Sequence, residues 1–108
     1  PMDVEHKRVE FDNAKNGSLG LETAFGALNT LFDLDETINL LTKGRSRYQI
    51  EKPKLEKGAK ACLTLFNPDG EHEFEAKDIL STSKNSMFVG ASLKGKVYGI
   101  IHNDLTTL

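Results

Sequence analysis

An apolar stripe too broad for its own chain to cover is the strongest constraint on this sequence. Leu21, Phe25, Leu28 and Phe32 recur at spacings of four, three and four residues, and Ala24, Ala27 and Leu31 widen the band. That period predicts an amphipathic helix with one face turned to a core. Ser18 stands where an N-cap hydroxyl is wanted, and Glu22 suits the positive end of the helix dipole. Gly26 costs about 1 kcal/mol against alanine in a helix interior, so its place in the stripe predicts close approach by another backbone. A second stripe, Leu34, Ile38 and Leu41, follows at once. Asp33 and Glu36 have capping-box spacing before it, and Lys43 with Gly44 supplies a favourable last turn and a stop. Two helices of this size cannot bury both stripes against each other. They require a partner surface.

The flanking segments read differently. Residues 1–18 are mostly polar and lack periodicity, which predicts an extended loop ending at the turn signal Asn16 and Gly17. A loop that long is expected to belong to a larger body. After Gly44 comes a basic, polar connector over 45–59, and then 60–66 alternates as a strand does. The turn sequence Asn67-Pro68-Asp69-Gly70 follows, then a short polar strand over 72–75, one helical turn over 76–80 and a loop over 81–86. Segments 96–102 and 105–108 flank Asn103 and Asp104, a two-residue link suited to a hairpin. Helices in one half and antiparallel strands in the other predict an α+β arrangement, or pieces of two domains.

Composition narrows the function classes. Fourteen Lys and Arg against sixteen Asp and Glu give a net charge of −2, which argues against nucleic acid as a partner. No apolar run approaches the length of a membrane span, and the absence of a basic-then-apolar leader predicts a cytoplasmic location. The single cysteine, Cys62, allows no disulfide within the chain and no Cys-based zinc site. His6, His72 and His102 fall on three different elements with no HxH or HExxH spacing, so the chain is expected to hold no metal site of its own. Asp33, Asp35 and Glu36 are explained by helix capping, and Glu71, Glu73 and Glu75 by a solvated strand face. Cys62 reads as a packed thiol rather than a nucleophile. Residues 16–20 open a helix with two glycines, a geometry that suits an anion, although a plain turn and cap is the simpler reading.

Three longer strings carry a resemblance. Residues 16–30 (NGSLGLETAFGALNT), with Gly-Leu-Glu-Thr-Ala-Phe at 20–25 as the specific part, resemble the segment after the last barrel strand of dihydroorotases in the amidohydrolase superfamily. Residues 55–70 (LEKGAKACLTLFNPDG) and 81–101 (STSKNSMFVGASLKGKVYGII) resemble the same family, in order and without obvious gaps. The resemblance implies an α/β fold: the C-terminal part of a (β/α)8 barrel over 1–44, then antiparallel strands of a small β-sandwich over 45–108. It implies a zinc-dependent hydrolase interconverting N-carbamoyl-aspartate and dihydroorotate in pyrimidine synthesis. The family's metal ligands are a His-x-His pair, a carboxylated lysine, two further histidines and an aspartate that opens an Asp-His-x-Pro sequence. Pro1 resembles the end of that sequence, so none of the ligands is expected in this chain, and the chain alone is expected to be inactive and zinc-free.

Residue by residue, the resemblance carries over to three substrate-side positions. Met2 stands where many relatives have a substrate-contacting His, and a thioether cannot donate a hydrogen bond. Asn16 and Gly17 stand where a Phe-Gly pair lines the pocket through its backbone. Cys62 replaces an Asp common in the family, and the usual Pro-Ala pair is missing around 44–47. The expected partners are the small-molecule substrate, the rest of the barrel, and a second copy or an aspartate transcarbamoylase. Two alternatives stand beside the enzyme: a non-catalytic dihydroorotase-like assembly subunit, and a related hydantoinase.

Overall fold

The structure, a computed structural model, describes residues 3–108. Three helices, α1 (Ala24–Leu31), α2 (Leu34–Thr42) and α3 (Gly44–Arg47), precede three strands, β1 (Cys62–Glu73), β2 (Ser92–His102) and β3 (Leu105–Thr107). The strands make one antiparallel sheet in the order β1-β2-β3. The chain is therefore α/β with a small antiparallel sheet, and α1 lies on β2.

The N-terminal stretch is not wholly extended: 3-10 turns form at Val4–Lys7 and Phe11–Asn13. The first helix also starts later than its stripe. Ser18 does not cap it, because the Ser18 hydroxyl accepts from the Met87 amide at 3.0 Å instead. Thr23 takes the N-cap position, but its hydroxyl donates to the Gly20 carbonyl at 3.2 Å and caps nothing. Leu21 consequently sits in a turn, 92% exposed, while Phe25 and Leu28 are half-buried. The Phe25 ring lies 5.0 Å from that of Phe66 on β1, tilted by 58°, within the spacing aromatic pairs favour. Gly26 does meet a close approach, but by a side chain rather than the backbone expected: a Cβ there would stand 3.0 Å from the Leu93 Cβ.

Helix α2 opens with the expected cap, the Glu36 amide donating to Asp33 Oδ1 at 2.8 Å. Its single fully buried side chain is Thr37, whereas Leu41 of the anticipated stripe is 44% exposed. Gly44 does not stop the chain. Lys43 keeps right-handed helical angles and α3 begins at Gly44. The actual stop is Gln49, at φ +55°, after which the Ile50 amide reaches back to the Arg45 carbonyl at 2.9 Å. That is the Schellman arrangement, built on a glutamine rather than a glycine.

The turn sequence at 67–70 likewise does something other than reverse the chain. Strand β1 runs through it, and four steps from Asn67 to Glu71 face only two from Lys96 to Lys94. The extra residues bulge outward, with Gly70 at φ +84° and Gly95 opposite at φ +82°. Asn29 of α1, 3% exposed, fastens the bulge by donating to the Pro68 carbonyl at 2.9 Å and the Lys94 carbonyl at 3.1 Å. The hairpin at Asn103 and Asp104 forms as expected, pairing His102 with Leu105. Between β1 and β2 the connection carries a 3-10 turn at Ala76–Asp78 and is closed at its base by Phe74, which bonds to Gly90 and Ala91.

The core is small: Phe74, Ile79 and Leu93, with Leu19, Ala27, Phe88 and Ala91 packed around it. The accessible surface is 8800 Å² for 12.0 kDa. A compact monomer of that mass exposes roughly 6,000 Å². The radius of gyration, 16.5 Å, likewise exceeds the roughly 13 Å of a compact domain this long.

Candidate functional site

The substrate-side positions that the sequence suggested are Met2, Asn16 and Gly17. Met2 lies outside the described residues. Asn16 is exposed, and Gly17 holds φ at +104°, a backbone conformation that disfavours any side chain. The pair does not hang free, because the loop over 80–87 braces the stretch that follows it. The Asn85 side-chain amide donates to the Gly17 carbonyl at 3.2 Å, and the Leu19 amide donates to the Asn85 carbonyl at 2.9 Å. Leu19 pairs with Ser86 in a short parallel bridge, and the Met87 amide donates to Ser18 as noted above.

Glu22 closes the other end of this brace. Its Oε2 accepts from the Leu80 amide at 2.8 Å, its Oε1 from the Ser81 amide at 3.0 Å, and the Ser81 hydroxyl donates to Oε1 as well. The Ser81 hydroxyl first, and the Leu80 amide next, hold this carboxyl below the usual carboxylate range; the Lys84 ammonium acts in the same direction more weakly, and partial burial opposes them. Sequence reasoning placed Glu22 at the helix dipole and missed this role. Its donors sit 58 and 59 residues away, where no local period reaches.

The remaining candidates take structural places. Asp33 caps α2. Glu75 and Asp78 form a reciprocal capping box on the 3-10 turn between them, and Glu75 also pairs with Lys77, raising the lysine's pKa. Glu71 accepts from the Ser92 hydroxyl at 3.3 Å across the sheet. Cys62 is half-buried at the start of β1. His6 and His102 are exposed and His72 is half-buried, each on its own element. Among the described residues no three His, Cys, Asp or Glu side chains converge as a metal site would require, and no helix is long and apolar enough to cross a membrane.

An open groove of about 770 Å³ runs between the turn before α1, the end of β1 and β2, lined by Glu22, Phe25, His72, Glu73, Leu80 and Val97 among others. It does not include Asn16 or Gly17. Leu80 at its rim is 91% exposed.

No family model matches the chain. Similarity to individual proteins is extensive and uniform in kind. Over 95% of its length the chain is 34% identical to the dihydroorotase of Caldicellulosiruptor saccharolyticus and 36% identical to that of Chlorobaculum tepidum. It is 33% identical to that of Clostridium acetobutylicum, again over 95% of its length. The matches take in 26%, 25% and 26% of those proteins, so the chain spans about a quarter of the length of the curated relatives it matches. The chain is thus similar to about a quarter of each of these dihydroorotases, consistent with a C-terminal portion of one.

Proposed function

We propose that this chain is the last part of a zinc-dependent dihydroorotase that interconverts N-carbamoyl-aspartate and dihydroorotate. The observation that carries the reading is the similarity to several dihydroorotases across nearly the whole chain. In this reading residues 1–44 close a (β/α)8 barrel and 45–108 belong to a β-sandwich completed by other strands. The open faces support it: roughly 2,800 Å² of surface beyond that of a compact monomer is the scale of an obligate contact, as burial against the rest of a barrel would provide.

Among the described residues no three His, Cys, Asp or Glu side chains come together as a zinc site would need. No bond-making step is assigned to them. Their part is to shape the substrate's edge. Asn16 offers one acceptor and two donors, the complement of the alternating carbonyl and N–H groups of a cyclic amide, and Gly17 lets the backbone approach closely. By the resemblance alone Met2 would stand on the substrate side, where a thioether offers contact without donation.

The test is an assay of the full-length protein for dihydroorotate hydrolysis before and after zinc removal. Turnover that disappears with the metal and returns with it is the expected result. Zinc occupancy without turnover would replace this reading with a non-catalytic assembly subunit, and co-sedimentation with an aspartate transcarbamoylase would then identify its partner.

A further inference from the structure

Glu22 is the only described residue whose carboxylate collects two backbone amides and a hydroxyl from a distant loop. The loop it grips, 80–87, starts beside Ile79 of the core and returns at Asn85, Ser86 and Met87 to bond with Gly17, Ser18 and Leu19. The loop is thus held at both ends by one stretch, 17–22. Gly17 is bonded directly to it, and Asn16 is the next residue back.

We propose that Glu22 is a positioning residue for substrate: by clamping Leu80 and Ser81 it fixes the 80–87 loop, and the loop in turn fixes Asn16 and Gly17 at the edge of the active site. This rests on the dihydroorotase reading above for the substrate and for placing Asn16 and Gly17 beside it, but not for the clamp itself. The geometry requires both carboxylate oxygens. A glutamine keeps the length yet offers one acceptor and turns two donors toward groups that are themselves donors. One amide of the loop then loses its partner. An aspartate is a methylene too short to reach either.

The experiment uses the full-length protein carrying Glu22→Gln and, separately, Ser81→Ala, which removes the hydroxyl donor and keeps the two amides. The expected result for Glu22→Gln is a KM for dihydroorotate raised about tenfold, the factor that ~1.4 kcal/mol of lost hydrogen bonding corresponds to, with kcat and zinc content retained. Ser81→Ala should move KM in the same direction by less. Amide exchange supplies the second readout: protection should fall at Leu80 and Ser81 and also at Leu19, whose amide is bonded to Asn85. A fall confined to Leu80 and Ser81 would overturn the proposal, as would a lower melting temperature with KM unchanged, or kcat and zinc content collapsing together. Should the unaltered protein fail to turn over dihydroorotate, the functional reading falls while exchange at Leu19 still decides the clamp. If Glu22→Gln fails to fold, Ser81→Ala carries both readouts.

Discussion

Replacing Asn29 by aspartate isolates the chemistry that fixes the β1 bulge, because the two side chains have nearly the same shape. No cavity opens and no apolar area changes; only the donors disappear. Asn29 is 3% exposed and donates to the carbonyls of Pro68 and Lys94 at 2.9 and 3.1 Å. At about 1 kcal/mol for each net hydrogen bond, Asn29→Asp costs at least ~2 kcal/mol, and an ionised carboxylate facing two carbonyl oxygens adds to that. The substitution should also become pH-dependent. Burial and the carbonyl dipoles would raise the new carboxyl's folded-state pKa above its unfolded value. A group shifted that way contributes its stability below the unfolded pKa and loses it as pH rises through the folded one, so the defect should be smallest in acid, where the protonated form regains one donor. Native-state amide exchange of β1 and β2 around the bulge reads this locally. Near neutral pH, protection should fall about thirtyfold, the equivalent of ~2 kcal/mol, and part of it should return below the carboxylate range. Unchanged protection, or a loss independent of pH, would show that Asn29 does not hold the bulge.

Three further outcomes follow from the same structure. A Cβ at Gly99 would fall within the radius of the Thr107 carbonyl oxygen, so Gly99→Ala should strip β3 from the sheet, seen as loss of exchange protection at 105–107 while β1 and β2 keep theirs. The Glu22 carboxyl has its pKa lowered, so its contribution should be present above the unfolded carboxylate range and lost as pH falls through the folded value; proteolysis of the 80–87 loop should distinguish native protein from Glu22→Gln near neutrality and cease to do so in acid. Expressed by itself, the 108-residue chain should associate or aggregate, since exposed side chains such as Leu21 and Leu80 each forgo roughly 1.5–3 kcal/mol of burial against a whole-domain stability of about 5–15 kcal/mol. Sedimentation showing a monomer with a sharp cooperative melt would contradict that.

What the sequence disclosed follows the range of the forces involved. The Asp33 cap of α2 was legible because a capping hydrogen bond spans three residues, and the hairpin at Asn103 because a two-residue link carries its own turn chemistry. Gly26 was legible as a close approach, although the group that approaches is the Leu93 side chain and not a backbone. The Pro68 region misled for a physical reason: Asn, Pro, Asp and Gly supply the same backbone angles to a bulge as to a reversal. Only Asn29, from a helix 39 residues earlier, and the second positive-φ glycine at 95 decide between them. Ser18 failed as a cap because a donor 69 residues away claimed its hydroxyl. For the candidate site, the sequence itself marked Asn16 and Gly17 only as a turn and a weak anion-binding geometry, their substrate role came from resemblance, and the loop that braces the stretch after them read as featureless polar sequence.

The division between polar and apolar contacts suggests how such a segment is used. The polar bonds within the chain join distant segments: Glu22, Asn29, Asn85 and Thr30 each tie two of them together, Thr30 by accepting from the Lys94 amide at 2.9 Å, while the buried Thr37 hydroxyl of α2 has no partner among the described residues. The apolar surface is not complete, with a buried core of only Phe74, Ile79 and Leu93 among the described residues. Hydrogen bonds fix geometry at about 1 kcal/mol each, whereas hydrophobic burial supplies most of the energy of folding. A chain that settles its geometry internally while leaving much of its apolar area uncovered is suited to dock as a preformed piece. In the function proposed above, the larger body would then provide the stability, and the segment would bring Asn16 and Gly17 to the substrate with Gly17 already braced by the 80–87 loop.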